Sequence, residues 1–195
     1  MILILFLIAF AWSAYRPHNR TTWWMEASAV LGGAIVLLAL LRWVRFSTFT
    51  YAVILIHSVL ILVGAHYTYP RVPWFEWLKA KLHIKRNHFD RLVHCMMGVV
   101  GTMLGREVLI RFTPLTGVWI FVLAMALNLS LACLTEVGEF VVARVKGAGS
   151  SVGDFLGFQG DEWDTHWDMT LAFGTGLVAY FLLGPWQDQF LRTMQ

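Results

Sequence analysis

The chain has 195 residues, of which 58% are hydrophobic and 14% are charged, and its formal net charge is +3. Soluble domains carry about 25% charged and about 45–50% apolar residues, so this composition excludes an ordinary soluble domain and indicates a membrane protein. No hydrophilic stretch is long enough to fold as a second domain, so residues 1–195 are predicted to form one transmembrane domain. The expected partners are the lipid bilayer and a lipid substrate, and no nucleic acid.

Apolar stretches of helical length follow one another along the chain. A membrane-spanning helix needs about 20 mainly apolar residues. Six stretches approach or meet that length: 1–15, 24–44, 47–67, 88–112, 117–145 and 162–184. The first is short, but it lacks a basic leading region and a small-residue cleavage site, so we expect a retained helix. The prediction is an all-α, polytopic membrane protein with six transmembrane helices in a compact bundle.

Two longer connections separate these stretches. Residues 69–87 are polar and contain proline, whereas residues 147–160 are rich in Gly and Ser. Backbone N–H groups in a Gly-rich loop can bind a phosphate, but this composition is more typical of a flexible connector. We therefore expect a flexible segment between the fifth and sixth helices.

Basic residues predict the orientation, because Lys and Arg concentrate in cytoplasmic loops. With six helices, one membrane side receives ten of them: Arg16, Arg20, Arg71, Lys79, Lys81, Lys85, Arg86, Arg91, Arg144 and Lys146. The other side receives Arg42, Arg45, Arg111 and Arg192. The first side is therefore predicted to be cytoplasmic, and both termini are predicted to lie outside a bacterial inner membrane.

Ionisable side chains inside the predicted helices are candidates for function, because each costs about 2.5–3.5 kcal/mol on insertion scales. The fourth helix begins with Asp90 and His94, which are four residues apart and share one helix face. The fifth helix carries Glu136 and Glu139 near its end, three residues apart and again on one face.

The start of the sixth helix carries three more carboxylates, and the third helix ends close to His66. Asp161, Asp164 and Asp168 lie within about 60° of one another at about 100° per residue. Helix alternation places all these helix ends at one membrane surface. We therefore predict that eight side chains converge there: His66, Asp90, His94, Glu136, Glu139, Asp161, Asp164 and Asp168.

Six carboxylates at close quarters in a low dielectric require protons or a cation. A mixed set of His nitrogen and carboxylate oxygen suits Zn, Mn or Fe better than Ca. The predicted metal ligands are His66, Asp90, His94, Glu139, Asp164 and Asp168. Glu136 and Asp161 are the candidate acid/base residues. Two other interpretations stay open, namely a charge-paired structural network and a path for protons or ions.

Three further polar residues are assigned to other places. Glu107 lies 17 residues after Asp90, about 25 Å along the helix axis, and belongs near the opposite surface. His57 and Asn128 fall in the middle of helices, where a hydrogen-bonded packing role is the more frequent one.

Three motifs resemble the YjdF-type bacterial inner-membrane family: Asn87-His-Phe-Asp-Arg-Leu-Val-His94, Glu136-Val-Gly-Glu139 and Gly157-Phe-Gln-Gly-Asp-Glu-Trp-Asp-Thr-His-Trp-Asp-Met169. His66-Tyr-Thr-Tyr-Pro70 fits the same pattern, and the resemblance extends from about residue 50 onward. The family has no known biochemical function, so the resemblance implies the architecture and the choice of residues without naming a reaction.

A looser similarity exists to VanZ-like membrane proteins. Their order is Asp-x-x-x-His, an acidic residue on the next helix and an Asp on the following one. Asp90 and His94, then Glu136 or Glu139, then Asp164 or Asp168 follow that order, whereas the Trp-rich segment 161–169 departs from it. This similarity implies a link to cell-envelope lipids or to antibiotic tolerance.

Two functions are compatible with these residues. The first is a metal-dependent hydrolase or transferase, embedded in the membrane and acting on a lipid or envelope substrate. The second is a non-catalytic transporter or lipid-binding protein that uses the acidic cluster for protons or headgroups.

Overall fold

A computed structural model of the chain describes residues 1–147 and 149–194. Over these residues the chain is helical, without β-strands. The helices are α1 (Ile2–Ala14), α2 (Arg20–Leu40), α3 (Thr48–Tyr67), α4 (Pro73–Leu82), α5 (Phe89–Phe112), α6 (Val118–Lys146), α7 (Ser150–Leu156) and α8 (Asp164–Arg192), and a 3-10 turn, Tyr69–Arg71, lies between α3 and α4.

Five of the described helices, α2, α3, α5, α6 and α8, are long and apolar enough to cross a membrane. Helix α1 is apolar but has 13 residues, which reach about 20 Å where the hydrocarbon core measures about 30 Å. The predicted all-α membrane bundle is confirmed, with a first helix shorter than a usual span.

Helix α5 is the centre of the bundle and packs against α3, α6 and α8. In its most apolar stretch 67% of the residues are buried, compared with 22% in α6 and in α8. Its contact with α8 is close because small residues line it: Gly98 faces the backbone carbonyl of Ala172. Close approach through small residues is the usual way membrane helices associate.

Helix α8 continues to Arg192 although Pro185 lies inside it, so the predicted end of this helix near residue 184 is wrong. The extra turns are held by buried polar contacts. Gln187 Nε2 donates to the Met103 carbonyl at 2.7 Å, and Arg106 donates to Asp188 Oδ1 at 2.8 Å. These bonds stabilise the last turns beyond the missing proline donor.

Glu107 forms a polar cluster at the bundle end predicted for it. Its carboxylate is fully buried and accepts hydrogen bonds from Ser47 N and Oγ at 2.7 Å each, Thr50 Oγ1 at 2.6 Å and Arg111 Nη1 at 2.8 Å. Each lone-pair direction of the carboxylate therefore has a donor, which is what a buried charge requires.

The two long connections are more structured than the sequence predicts. Residues 69–87 contain α4, which exposes Trp74 and Trp77 and is suited to the membrane interface. Residues 149–160 contain α7 instead of a flexible connector, and α7 packs against α2 and α6. Asp154 on α7 pairs with Arg71 at 3.4 Å. The segment after α6 therefore folds back over the end of the bundle.

Candidate functional site

The start of α5, the end of α6 and the start of α8 meet at one end of the bundle. Asp90 and His94 occupy successive turns of α5, and Asp164 and Asp168 occupy successive turns of α8. All four are buried, with exposed fractions of 7%, 3%, 6% and 2%. Helical spacing aims each pair at the same neighbour, so four ionisable groups are enclosed between two helices.

One half of the site is paired with arginine. Arg86, just before α5, forms ion pairs with Asp164, with Asp90 at 3.2 Å and with Asp161 at 3.7 Å. Arg91 pairs with Asp161 at 2.5 Å. Both arginine side chains are mostly buried, so these charge-assisted bonds fix three carboxylates in place.

The other half surrounds His94. Its Nε2 atom lies 3.6 Å from Asp90 Oδ1 and 3.8 Å from Glu136 Oε1. Two groups of residues that include His94 could hold a metal ion, and within each group the ligand atoms lie within 4.8 Å of one another. The groups are Asp90–His94–Asp168 and His94–Glu136–Glu139.

Several buried atoms in this half lack a hydrogen-bond partner among the described residues: His94 Nδ1, Asp168 Oδ1 and Glu136 Oε1. Buried polar atoms are normally satisfied, and each unsatisfied one costs about 1–3 kcal/mol. Three such atoms at this end of the bundle are available to bind a further group.

The spacing fits a metal ion. Two donor atoms at about 2.0–2.1 Å from a tetrahedral ion lie about 3.4 Å apart. The distance from His94 Nε2 to Asp90 Oδ1, 3.6 Å, is close to that value. The donor chemistry, one imidazole with carboxylates, suits Zn, Mn or Fe.

Loops on both sides of the bundle close over the site. Asn87 N donates to Gln159 Oε1 at 3.0 Å, and Gln159 Nε2 donates back to the Asn87 carbonyl at 2.8 Å. Arg86 also donates to the Phe158 carbonyl at 3.2 Å. These bonds tie the segment before α5 to the segment before α8, and they position Arg86 between them.

Two groups outside the spanning helices respond to this environment. Burial, with the Arg91 and Arg86 guanidinium groups, lowers the pKa of His88, although Asp161 and Asp164 oppose that effect. Burial, followed by the carboxylates of Glu26, Asp90 and Glu139, raises the pKa of Tyr69. Both side chains are therefore in their neutral forms at neutral pH.

A cavity of about 320 Å³ lies beside the site, between the end of α6, the end of α7 and the start of α8. Carboxylates of Glu136, Glu139 and Asp164 line it together with Phe140 and Phe158. A lining that combines acidic and apolar side chains matches an amphipathic occupant.

Comparison with known proteins gives the family. The family model described as "Predicted membrane protein (DUF2238)" matches residues 1–189. The chain belongs to the DUF2238 family. The Escherichia coli (strain K12) protein named "Inner membrane protein YjdF" is 33% identical over 182 residues, which cover 93% of this chain and 86% of that protein. The resemblance to YjdF-type proteins is thereby confirmed, and no solved structure gives a significant match.

The structure of this DUF2238 chain brings seven of the eight sequence-predicted residues together and places the eighth elsewhere. His66 Nδ1 lies 3.1 Å from the Ser13 carbonyl, and its ring stacks on Trp12 at 4.6 Å between centroids. His66 therefore packs against helix α1 and is not part of the acidic cluster. Asp164, a predicted ligand, is instead bound by Arg86, and Asp161, a predicted acid/base, is bound by Arg91.

Sequence reasoning missed three residues of the site. Arg86 was counted only among loop charges, and neither Glu26 nor Tyr69 was a candidate. Glu26 on α2 forms a hydrogen bond with Tyr69 and interacts electrostatically with Asp90. Glu26 lies near the start of a predicted helix at the same membrane surface. The argument from helix alternation that selected the other carboxylates therefore applies to Glu26 as well.

Gly157 provides a test of the loop that covers the site. Its backbone is left-handed, with φ of +67°, and an added Cβ would lie 2.8 Å from Asp90 Oδ2. We expect Gly157→Ala to displace the Asp90 carboxylate in addition to a backbone cost of about 1–2 kcal/mol. The measurement is the thermal unfolding midpoint in detergent together with the metal content of the purified protein.

Gly160→Ala is the matched control, since Gly160 has φ of +85° and free space around an added Cβ. It carries the same backbone cost without the contact to Asp90. Equal thermal unfolding midpoints and equal metal contents for the two variants would contradict the proposed role of Gly157 in positioning the Asp90 carboxylate.

Proposed function

We propose that this DUF2238 protein is a membrane-embedded, metal-dependent hydrolase or transferase that acts on a lipid-borne substrate of the cell envelope. The observation that carries the proposal is the unpaired half of the site, where buried His94 and Asp168 hold atoms without hydrogen-bond partners among the described residues. Three other features of this end of the bundle support the proposal: its excess of carboxylates, the cavity beside the site and its position at the membrane surface.

The charge argument compares carboxylates with arginines. Seven carboxylates belong to the cluster, Glu26, Asp90, Glu136, Glu139, Asp161, Asp164 and Asp168. Within the described part of the chain, the ion pairs to them come from Arg86 and Arg91. A buried excess of negative charge is costly unless cations or protons offset it. A divalent cation bound by His94 Nε2 and Asp168 offsets two of these charges and satisfies the open Oδ1 atom of Asp168.

The proposed ligands are His94, Asp168, Glu139 and Asp90. An ion held there supplies a Lewis acid for a phosphoryl or carbonyl oxygen and lowers the pKa of bound water. Glu136 is proposed as the acid/base, since it lines the cavity beside Thr165. Asp161 and Asp164 hold the two arginines in position.

The proposed location is the bacterial inner membrane, with the site at the cytoplasmic surface and both termini outside. The name of the Escherichia coli relative supports the membrane assignment. The excess of Lys and Arg in the loops at the site's end of the bundle supports the orientation.

A transport path is less well supported, because the middle of the bundle is closely packed. Between the His94 site and the Glu107 cluster, Met97, Ala132 and Ala172 form a buried apolar core. Asn128 donates to the Ala172 carbonyl at 2.9 Å. Protons or ions that cross the bundle between α5, α6 and α8 have to pass this packed layer.

Elemental analysis of detergent-purified protein tests the metal. After growth with Zn, Mn and Fe supplied, we expect about one divalent ion per chain in the wild type, and a reduction of at least about tenfold in His94→Ala and Asp168→Asn, equivalent to about 1.4 kcal/mol of binding free energy. Glu107→Gln is the control, because it alters a buried carboxylate at the opposite end.

Wild-type protein without stoichiometric metal would overturn the metal site. Equal loss in Glu107→Gln and His94→Ala would indicate a general effect of folding instead of ligation. Catalysis is tested by mass spectrometry of phospholipid vesicles incubated with the metal-loaded protein, where new lipid products should form with the wild type and be absent with Glu136→Gln.

A further inference from the structure

An apolar cleft of about 510 Å³ lies inside the membrane region, and the proposed function does not use it. Its walls come from α1, α2, α3, α5 and α6. The polar side chains among its lining residues are Tyr51, His57, Ser58 and Thr135, and the others are apolar or glycine. A cleft of this composition matches a hydrocarbon occupant.

One stripe of α2 forms a long wall of the cleft. Val30, Gly33, Leu37 and Leu41 recur at helical spacing along it. Glu26, which contacts the site, is one turn before Val30 on the same face. The same stripe of α2 therefore leads from the acidic cluster into the apolar cleft.

The cleft ends close below the metal-site residues. Met97, which lines it, is one turn after His94 on α5, and Thr135, which also lines it, directly precedes Glu136 on α6. An occupant of the cleft is therefore held within about one helical turn, about 5 Å, of the proposed ligands.

The cleft is also open towards lipid. Helix α2 packs against α3 and α7, whereas α6 packs against α5, α7 and α8. Helix α7 therefore bridges α2 and α6 at the site's end. Further along, the lining residues Leu38 and Leu41 on α2 and Leu131 on α6 are exposed, so the cleft opens to the bilayer there. A molecule in the membrane can enter sideways without leaving the hydrocarbon layer.

The dimensions select a single chain over a helix. From Ala29 to Leu41 the cleft extends for about 18 Å. That length is close to the ~15 Å depth of one leaflet, which one hydrocarbon chain spans, and it is shorter than the ~30 Å that a spanning helix needs.

We infer that the cleft between α2, α3 and α6 binds one hydrocarbon chain of a membrane lipid whose headgroup lies at the His94 site. The headgroup end of this inference rests on the proposed function, whereas the chain-binding end rests on the cleft alone. The lipid enters between α2 and α6 and is held by apolar contact along the α2 stripe.

Neighbouring glycines on α2 allow a matched test. An added Cβ has free space at both Gly32 and Gly33, but only Gly33 lines the cleft. The probe is phosphatidylglycerol with a diazirine in one acyl chain, present as a minor component of phosphatidylethanolamine vesicles that contain the full-length protein. Photolabelling is mapped by peptide mass spectrometry.

In the wild type we expect saturable labelling at Leu37 and Leu41. Gly33→Phe should reduce it by about tenfold, as displacement of two buried methylene groups implies, and Gly32→Phe should leave it unchanged. Equal labelling in the two variants, or labelling confined to the outward-facing Ile35 and Val36, would overturn the inference. Thermal unfolding of both variants checks that each is folded.

Metal content and labelling separate the two proposals. If the wild-type protein contains no metal and Gly33→Phe still reduces the labelling, the result supports the cleft and contradicts the metal site. Stoichiometric metal with labelling insensitive to Gly33→Phe contradicts the cleft alone. In His94→Ala the metal should be lost while labelling at Leu37 persists.

Discussion

Gly98→Ala is expected to lower the free energy of unfolding by about 3 kcal/mol, the upper range for overpacking of a well-packed core. An added Cβ would overlap the Ala172 carbonyl and the Thr175 hydroxyl. The carbonyl belongs to helical backbone, so α5 and α8 have to separate to accept the methyl group. Since α5 is the centre of the bundle, the separation disturbs its other contacts as well.

Gly174→Ala is the control for helix propensity. Gly174 lies on α8 close to the same contact, but an added Cβ there meets no atom within 4 Å. Both variants gain about 1 kcal/mol of helix propensity, so their difference measures the overlap. Reversible unfolding in detergent by a denaturing surfactant provides the free energies. A Gly98→Ala protein as stable as Gly174→Ala would show that α5 and α8 are less closely packed than described.

Arg86→Met is expected to destabilise the protein by about 3–5 kcal/mol, the usual result of removing one partner of a buried ion pair. Arg86 is 7% exposed and is shared by carboxylates of α5 and α8. Its removal takes away the guanidinium group that pairs with both Asp90 and Asp164 and leaves these carboxylates to repel each other. The methionine keeps most of the side-chain volume, so the loss reports charge more than packing.

The double variant Arg86→Met/Asp164→Asn should recover part of that loss, because one uncompensated charge is removed with the cation. Arg71→Gln is the control: its ion pair with Asp154 is half-exposed on the arginine side, and such pairs contribute about 0–1 kcal/mol. Unfolding free energies of the single and double variants form the test. A double variant less stable than Arg86→Met would contradict the proposed repulsion between the carboxylates.

The meeting of Asp90, His94, Glu136 and Asp168 could be predicted from the sequence because helical spacing fixes the face of each residue. Alternation of membrane helices fixes the depth. Helix face and membrane depth both follow from the sequence itself, so neither requires knowledge of the neighbouring helices. The same reasoning places Glu107 at the opposite end, where it accepts bonds from Ser47 and Thr50.

The partners of these residues could not be predicted in the same way. Face and depth do not determine which helix lies opposite, and His66 has the right depth but faces α1. Arg86 precedes its helix, so its direction depends on the loop that binds Phe158 and Gln159. The end of α8 was also missed, because tertiary bonds at Gln187 outweigh the local signal of Pro185.

The burial of α5 has a consequence for how the chain enters the membrane during synthesis. This helix contains five charged residues, Asp90, Arg91, Arg106, Glu107 and Arg111. Two of them, Arg91 and Arg106, have partners at Asp161 and Asp188, which the ribosome adds 70 and 82 residues later. Until α8 has left the translocon, α5 is a poorly stabilised segment whose charges favour water or the protein-lined channel over lipid. The stable insertion of α5 therefore depends on α8 and the residues just before it, which supply the partners of Arg91 and Arg106.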